Sequence, residues 1–293
     1  MTVQIPTASA STGRPARSRL RPSAAIGIAM IGAVLLLAAV PPLTPDFAPF
    51  RQDLGSALLA PFADIRHPVG TDALGRDLLD RLSLATSVTL GITLAIVCLN
   101  AIIGTTIGIL SGYVGGRFES VASVVGNVTL AMPVVLLMIA ICAVLRPSAA
   151  LTIIVLGCTW WVGYARVTRS VSGALRQQDF VISPLTQGAD TSWVLVRHIV
   201  PNVWPHTLII AVTDLATIVL LESSLEYLGL GVQPPIPSWG GMIFEGQKYL
   251  GANPWIAILP GLAMFLAVAG AQFLSHQFTA DGRGALLRRG GMS

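Results

Sequence analysis

Six long apolar stretches constrain this chain more than any other feature, because none of them carries a charge except at one position. A helix needs roughly 20 apolar residues to cross the hydrocarbon core of a bilayer. The stretches are continuous, whereas strands of a membrane barrel alternate apolar and polar residues. The sequence therefore predicts an all-α polytopic membrane protein with six transmembrane helices, and the stretches are Ala24–Val40, Leu84–Leu110, Val121–Leu145, Ala149–Tyr164, Val203–Leu221 and Pro254–Phe278.

The composition excludes an ordinary soluble domain. Charged residues make up 11% of the chain, against about 25% in soluble proteins. The net charge of +4 could indicate nucleic-acid binding, but the basic residues lie in short tracts between the apolar stretches. Such a distribution is typical of membrane topology, so we expect a lipid bilayer as surroundings and no nucleic-acid partner.

The basic residues also predict the orientation of the chain. Cytoplasmic segments carry an excess of Lys and Arg, and placing both termini in the cytoplasm puts twelve of the 18 basic residues inside. Residues 1–23 are then a disordered cytoplasmic tail, 24–40 an uncleaved signal anchor and 279–293 a second cytoplasmic tail. The twelve are Arg14, Arg17, Arg19, Arg21, Arg117, Arg166, Arg169, Arg176, Arg197, Arg283, Arg288 and Arg289.

The outer loop 41–83 contains the sequence HPVGTDALGRDLLDRL at His67–Leu82. Thr71 or Asp72 could cap a helix, and the leucines that follow recur on one face. We therefore expect an amphipathic helix that lies at the membrane interface and leads into the second span. A docking role and a merely solvated charged face are equally compatible with this pattern.

A long cytoplasmic segment, residues 165–202, separates the fourth and fifth spans within a five-helix core, residues 84–278. Ser183 suits an N-cap, Pro184 the first helical position and Gly188 the exit of a short helix. The residue pattern alone predicts a short surface helix or an ordinary loop. The outer segment 222–253 is rich in Gly and Pro, so it should be buried in protein or line a cavity.

Polar residues inside apolar spans are costly and usually face other helices or water. Asn127, Asp214 and Glu222 are our candidates for the lining of a polar translocation path. The alternative is that they are structural hydrogen-bond partners for neighbouring helices. Pro133 is expected to kink the third span.

Four motifs together resemble the permeases of the dipeptide, oligopeptide and nickel ATP-binding-cassette (ABC) importers. His67–Leu82 resembles that family's HPLGTDxLGRDxxSRL motif, and Gly163–Arg166 resembles its GYAR. Arg197–Asn202 (RHIVPN) resembles RHILPN, and Leu228–Gly240 reads LGLGVQPPIPSWG as in the family. The resemblance extends from about His67 to the sixth span, and it implies the type I importer permease fold.

The resemblance implies that the inner segment docks on an ATPase through a coupling helix. In the family that helix carries EAAxxxG. Here Ile182, Ser183 and Pro184 stand at the Glu-Ala-Ala positions, and Gly188 is kept. We expect the docking to fall to Leu185 and neighbouring backbone groups, with Arg197 supporting the loop, so the predicted coupling residues are Ser183, Pro184, Leu185, Thr186, Gln187, Gly188, Ala189 and Arg197.

By the same resemblance, the partners are a second homologous permease, two ATPase subunits or domains and an extracytoplasmic solute-binding protein. The setting is the inner membrane of a bacterium. Lys248 is the only lysine and lies in QKY, so this chain has no Gly-Lys-Ser/Thr loop to hold the phosphates of ATP. ATP and Mg²⁺ should bind to the partner ATPases, and we expect no cofactor and no catalytic residue here.

Other classes of function are less well supported. An intramembrane metalloprotease needs HExxH, yet the residues after the four histidines are Pro, Ile, Thr and Gln, and no GxSxG occurs. Neither the histidines nor the three cysteines form a metal-binding pattern. A secondary transporter or channel stays open as an alternative, although it would need coupling charges in several spans. Peptides are the first candidate solute, and nickel or another chelated metal is the alternative.

Overall fold

The computed structural model describes the backbone of residues 22–290 and the side chains of residues 22–275. The predicted tail 1–23 therefore lies outside the described residues, apart from its last two positions. Short 3₁₀ turns and a π-helical turn at Leu195–Ile199 join the α-helices. The α-helices of the described chain are α1 (Pro22–Ala39), α2 (Leu78–Val114), α3 (Gly116–Ala131), α4 (Val134–Cys142), α5 (Ala149–Thr159), α6 (Val162–Leu175), α7 (Asp179–Thr186), α8 (Thr191–Val194), α9 (Val200–Tyr227), α10 (Trp239–Gly246) and α11 (Trp255–Gly290).

The predicted all-α fold with membrane-spanning helices is confirmed. Five helical segments in the described chain are long and apolar enough to cross a bilayer, and a sixth is broken into α3 and α4 with a bend of 76°. Pro133 lies at that break, as the N-cap of α4. Proline has no amide hydrogen to donate to the preceding turn, so the kink predicted at Pro133 is also confirmed.

Several predicted helix ends are wrong, in most cases because the helix continues past the apolar stretch, although α4 ends at Cys142, before the predicted Leu145. The fourth span runs on through α6 to Leu175, and the fifth is helical from Thr191 to Tyr227. The last helix continues to Gly290, so residues 279–290 are helical. The helices are longer than the bilayer is thick, and their protruding turns carry polar residues that hydropathy cannot recognise as helical.

A seam of three glycines joins α2 to α6. A Cβ atom at Gly104, Gly108 or Gly112 would come under 3.0 Å from the carbonyl oxygens of Trp161, Ala165 and Arg169 respectively. The two backbones are therefore in direct contact, as small residues at intervals of four allow in membrane helices. Among the helix pairs, α2 and α6 consequently form the tightest association in the bundle.

Helix α10 covers one end of the bundle, which we call the outer end after the orientation predicted from the basic residues. The opposite end, which carries α7, is called the inner end. Trp239, fully buried, donates its indole N–H to Thr86 Oγ1 at 3.1 Å. It packs in a cluster with Leu78, Leu82 and Ala85 of α2. The Gly/Pro-rich segment after α9 is therefore buried only in part: residues 237–240 are buried against other protein, as predicted, whereas residues 227–229 and 233–236 are exposed.

The amphipathic helix predicted within His67–Leu82 does not form before Leu78. Gly70 and Gly75 adopt φ of +89° and +70°, a left-handed conformation that interrupts a helix. Asp77, rather than Thr71 or Asp72, is the N-cap, and its side chain accepts from the amides of Leu79 and Asp80. The leucine periodicity was misleading because it belongs partly to the first turn of α2.

Candidate functional sites

The predicted coupling segment does contain a short helix, but the helix begins earlier than the sequence suggested. It spans Asp179–Thr186 with Gln178 as N-cap, so Ser183 is not the cap and Pro184 lies inside the helix. Proline there removes only the amide that would bond to the carbonyl of Phe180. Gly188 has φ of +90° and ends the helix as predicted.

Helix α7 packs on an inner cluster formed by Ile109, Tyr113, Val181, Val194, Ile199 and Val203. Leu185 and Ala189 are partly buried and also pack against this cluster, so the side chain of Leu185, which we expect to carry the docking, contributes to the fold as well. The exposed apolar side chains on this side are Phe180, Ile182 and Trp193, with exposed fractions of 44%, 43% and 50%. Helical spacing explains the difference, because Val181 and Leu185 are one turn apart on the buried face.

A groove of about 440 Å³ lies beside the end of α7 and is lined by Pro184, Gln187, Gly188, Ala189 and Trp193. All of these lining residues except Trp193 belong to the predicted coupling set. Thr186 is exposed, and its hydroxyl donates to the carbonyl of Ser183 at 2.8 Å. Arg197 is exposed in the π-helical turn. We call these residues, together with the exposed Phe180 and Ile182, the α7 surface.

His198 holds two of the exposed aromatic residues in place. Its ring centroid lies 6.1 Å from that of Phe180 and 5.3 Å from that of Trp193, the second pair being edge-to-face. The ring thus links α7 to the turn that precedes α9. Apart from the polar character of the RHIVPN stretch, no pattern in the sequence indicates this contact.

The three candidates for a polar path do not come together in one site. Asn127 is exposed on α3 and accepts from Arg166 Nη2 at 3.2 Å. Asp214 is half-buried on α9 and faces α6, where it lies beside the hydroxyl of the fully buried Tyr164 without a full hydrogen bond. Glu222 is fully buried, so within this chain it does not line an open path.

Sequence reasoning missed a second buried carboxyl beside Glu222. Glu226 is one helical turn further along α9 and only 3% exposed. The carboxylate oxygens of both residues make no hydrogen bond of ordinary geometry within the described chain, although Ser238 and the Gly240 amide lie beside Glu226. The spacing of four residues was the signal that could have revealed the pair.

Sequence reasoning also missed a buried ion-pair network at the outer end. Arg81 Nη1 and Arg76 Nε both pair with Asp72 Oδ2, the second at 2.6 Å, and Arg81 Nη2 pairs with Glu245 Oε2 of α10 at 3.0 Å. Burial alone would raise the pKa of Asp72, but the Arg76 amide and the Arg81 guanidinium outweigh it and leave that pKa below its ordinary value. The network ties the outer loop, α2 and α10 together.

Comparison with known proteins gives the family. Residues 104–279 match the "Binding-protein-dependent transport system inner membrane component" family. The nickel transport system permease protein NikC of Escherichia coli K12 is 34% identical over 84% of this chain and 88% of that protein.

Two peptide transport proteins are similar over nearly the same length. The dipeptide transport system permease protein DppC of Alkalihalophilus pseudofirmus is 30% identical over 84% of this chain and 81% of its own. The oligopeptide transport system permease protein OppC of Bacillus subtilis is 32% identical over 83% and 79%. The chain therefore belongs to the family of inner membrane components of binding-protein-dependent transport systems.

Proposed function

We propose that this chain is one permease subunit of an ABC importer and that it forms, with a second homologous permease, the translocation path for di- or oligopeptides or similar small solutes. The α7 surface is the observation that carries the proposal. It presents exposed apolar side chains on a short helix whose opposite face is packed into the bundle. Such a surface can bind a partner protein whose movement is transmitted to the bundle through α7.

The position of α7 explains how force would reach the spans. Only residues 176–178 separate it from α6, and Val181 packs with Ile199 and Val203 at the start of the fifth span. A displacement of α7 must therefore move the inner ends of two spans. In the proposed complex, two ATPase subunits or domains bind ATP and Mg²⁺, and this chain catalyses no reaction.

The proposed orientation places α7 and both termini in the cytoplasm of a bacterial inner membrane. Arg166, Arg169 and Arg176 lie near the same end of the bundle as α7, in agreement with the positive-inside rule. The outer cap formed by the 41–77 loop and α10 then faces the extracytoplasmic solute-binding protein. Asp214 remains the intramembrane candidate for the path, because it is accessible and faces neighbouring helices.

Nickel or another chelated metal is the second candidate solute. It is favoured by the NikC relative at 34% identity, against 30% and 32% for the two peptide relatives. Titrating the cognate binding protein with a peptide library and with nickel complexes separates the two solutes. Saturable peptide binding without nickel binding supports the first candidate, and the reverse result supports the second.

The α7 surface can be tested in the assembled transporter. Phe180→Asp with Ile182→Asp places two charges on the surface, and Ile65→Asp places one on an equally apolar but 98% exposed residue of the outer loop. We expect the double variant to lose the co-purifying ATPase subunits, whereas Ile65→Asp keeps them. Full ATPase recovery with the double variant would contradict the proposed coupling surface.

Co-purification also tests the class of function. ATPase subunits should accompany an ABC permease, whereas a secondary transporter or channel would be isolated without them. The isolated chain should show no nucleotide binding, measured with a fluorescent ATP analogue, because it lacks a phosphate-binding loop.

A further inference from the structure

A cavity between α2, α3 and α6 is not used by the proposed coupling surface. Its volume is about 310 Å³, and one part of its wall is apolar, with Ile107, Trp161 and Val162. The other part is polar. The polar lining residues are Ser111, Ser123, Asn127, Arg166 and Arg169. The cavity therefore suits a ligand with an anionic group attached to an apolar body.

The polar groups of the cavity retain hydrogen-bonding capacity. Arg166 Nη2 donates to Asn127 at 3.2 Å, and Arg169 Nη1 donates to Ser123 Oγ at 2.8 Å and faces Glu119 Oε1 at 3.4 Å. Each guanidinium has five N–H donors, so most of them are not engaged by these contacts. The two arginines carry two positive charges and their acidic neighbour Glu119 carries one negative charge, so the cavity has a net positive charge.

Ser111 supplies an independent sign of a missing ligand. It lines the cavity and is only 2% exposed, yet its hydroxyl has no hydrogen-bond partner within the described residues. A buried hydroxyl without a partner costs stability, and an oxygen-rich ligand in the cavity could satisfy it.

The level of the cavity relative to the bilayer can be estimated by counting residues along α2. Ser83 Oγ donates to the carbonyl of Ala38 at 3.3 Å, which marks the outer end of the first span. The hydrocarbon core spans roughly 20 helical residues, so its inner boundary lies near Ile103 of α2. Ala165 lies beside Gly108, about 7 Å further on at the helical rise. The arginines that follow are thus at the level of the lipid headgroups.

We propose that this cavity binds the phosphate group of an anionic phospholipid, with Arg166 and Arg169 as its cationic ligands. Basic cavities between membrane helices on the cytoplasmic side are suited to such headgroups. The apolar part of the cavity wall, formed by Ile107, Trp161 and Val162, offers a surface to the acyl chains next to the headgroup. Only the choice of leaflet rests on the orientation proposed above.

The test is a native mass spectrometric titration of the purified importer complex with phosphatidylglycerol and with phosphatidylcholine of the same acyl chains. We expect Arg166→Gln with Arg169→Gln to weaken phosphatidylglycerol binding by about thirtyfold, from the usual contribution of two arginines at a membrane surface. Binding of phosphatidylcholine should change little. The matched control is Arg117→Gln, an exposed arginine of α3 outside the cavity lining, which should cost no more than about fivefold.

A second variant keeps the proposal testable if the double variant does not fold. Ala122→Phe fills the cavity from α3 and leaves both arginines in place, and we expect it to weaken phosphatidylglycerol binding as well. Wild-type affinity for phosphatidylglycerol in both variants would overturn the proposal. That result is expected if the second permease covers the cavity in the complex and lipid cannot enter it. Complete displacement of the lipid by millimolar inorganic phosphate would also overturn it, because the site would then hold a small anion.

Discussion

The two ends of this molecule use their charged residues in different ways. At the outer end, Asp72, Arg76, Arg81 and Glu245 are paired with one another, and Trp239 at the start of α10 is buried. At the inner end, two arginines face an open cavity, and Phe180 and Ile182 are exposed on the short helix α7. The charges of the outer network are therefore satisfied within the fold, whereas the two inner arginines keep donors available to other molecules.

This difference indicates which parts of the surface belong to the fold and which await other molecules. A buried ion pair costs much of its Coulomb energy in desolvation, so the outer network fixes a geometry more than it adds stability. Exposed apolar residues on a short helix contribute little to the fold. We expect substitutions at the outer end to affect stability, and those at the inner end to affect assembly.

The largest expected effect is that of Asp72→Asn. Arg81 is 2% exposed, and the substitution removes its buried carboxylate partner and leaves it paired with Glu245, whose side chain is 36% exposed. Breaking one side of a buried pair costs about 3–5 kcal/mol. Thermal unfolding of the detergent-solubilised protein measures the loss, and Asp46→Asn, which changes an exposed carboxylate of the same loop, is the control. Equal unfolding midpoints for the two variants would show that the network does not fix the outer end.

A smaller loss of stability is expected at the glycine seam, where α2 contacts α6. Gly108→Leu forces a side chain against Ala165 and Thr168 of α6, and such overpacking costs about 1–3 kcal/mol. Gly91→Ala is the control on the same helix, because nothing lies within 4 Å of a Cβ there. It should be neutral or slightly stabilising. If both variants unfold at the wild-type temperature, α2 and α6 are not as closely packed as described.

The pH dependence of stability should show a smaller effect, again from the outer end. Asp72 binds a proton less readily in the folded protein than in the unfolded chain. Its contribution is complete above the unfolded pKa of about 3.9 and is lost as the pH falls through the lower folded pKa. The unfolding midpoint, measured across the acid range, should fall less steeply in Asp72→Asn than in wild type. Identical slopes would exclude Asp72 as a source of acid sensitivity.

The smallest expected effect on stability is that of Phe180→Ser at the inner end. Its side chain is 44% exposed, and surface substitutions usually change stability by less than about 0.5 kcal/mol. ATPase co-purification should decrease nonetheless. Val181→Ser, a change to the fully buried neighbour, is the matched contrast and should destabilise the protein. A large loss of stability in Phe180→Ser would remove the distinction between the two ends.

Hydropathy and proline chemistry predicted most of the architecture. The spans, the kink at Pro133 and the exit of the short inner helix at Gly188 all follow from the local sequence. The local sequence could not show where helices end in water, because Thr168 and Arg169 belong to α6 through packing on α2 rather than through hydropathy. The start of α7 was misplaced for a related reason. Ser183 and Pro184 have the residue types of a helix start, but they lie inside a helix that Val181 packs against the inner cluster.

The candidate sites were harder to predict than the fold, because they depend on contacts between distant segments. Arg81 and Glu245 are far apart in sequence, and the i,i+4 pattern of His67–Leu82 suggested a helix instead of a folded loop. Asn127, Asp214 and Glu222 were chosen as polar residues in apolar stretches, which is a property of each residue alone. Their actual neighbours, Arg166, Tyr164 and Glu226, belong to other turns or other helices and could not be read from that property.

The length of α2 has a mechanical consequence. Its 37 residues form a rod of about 55 Å, stiffened along its inner part by the backbone contact with α6. One tip of the rod carries the outer salt-bridged cap, and the other lies near the inner cluster that supports α7. A tilt of only about 5° displaces one tip by about 5 Å relative to the other. In the proposed importer, such a tilt would convert a modest push at one face of the membrane into a movement of several ångströms at the opposite face.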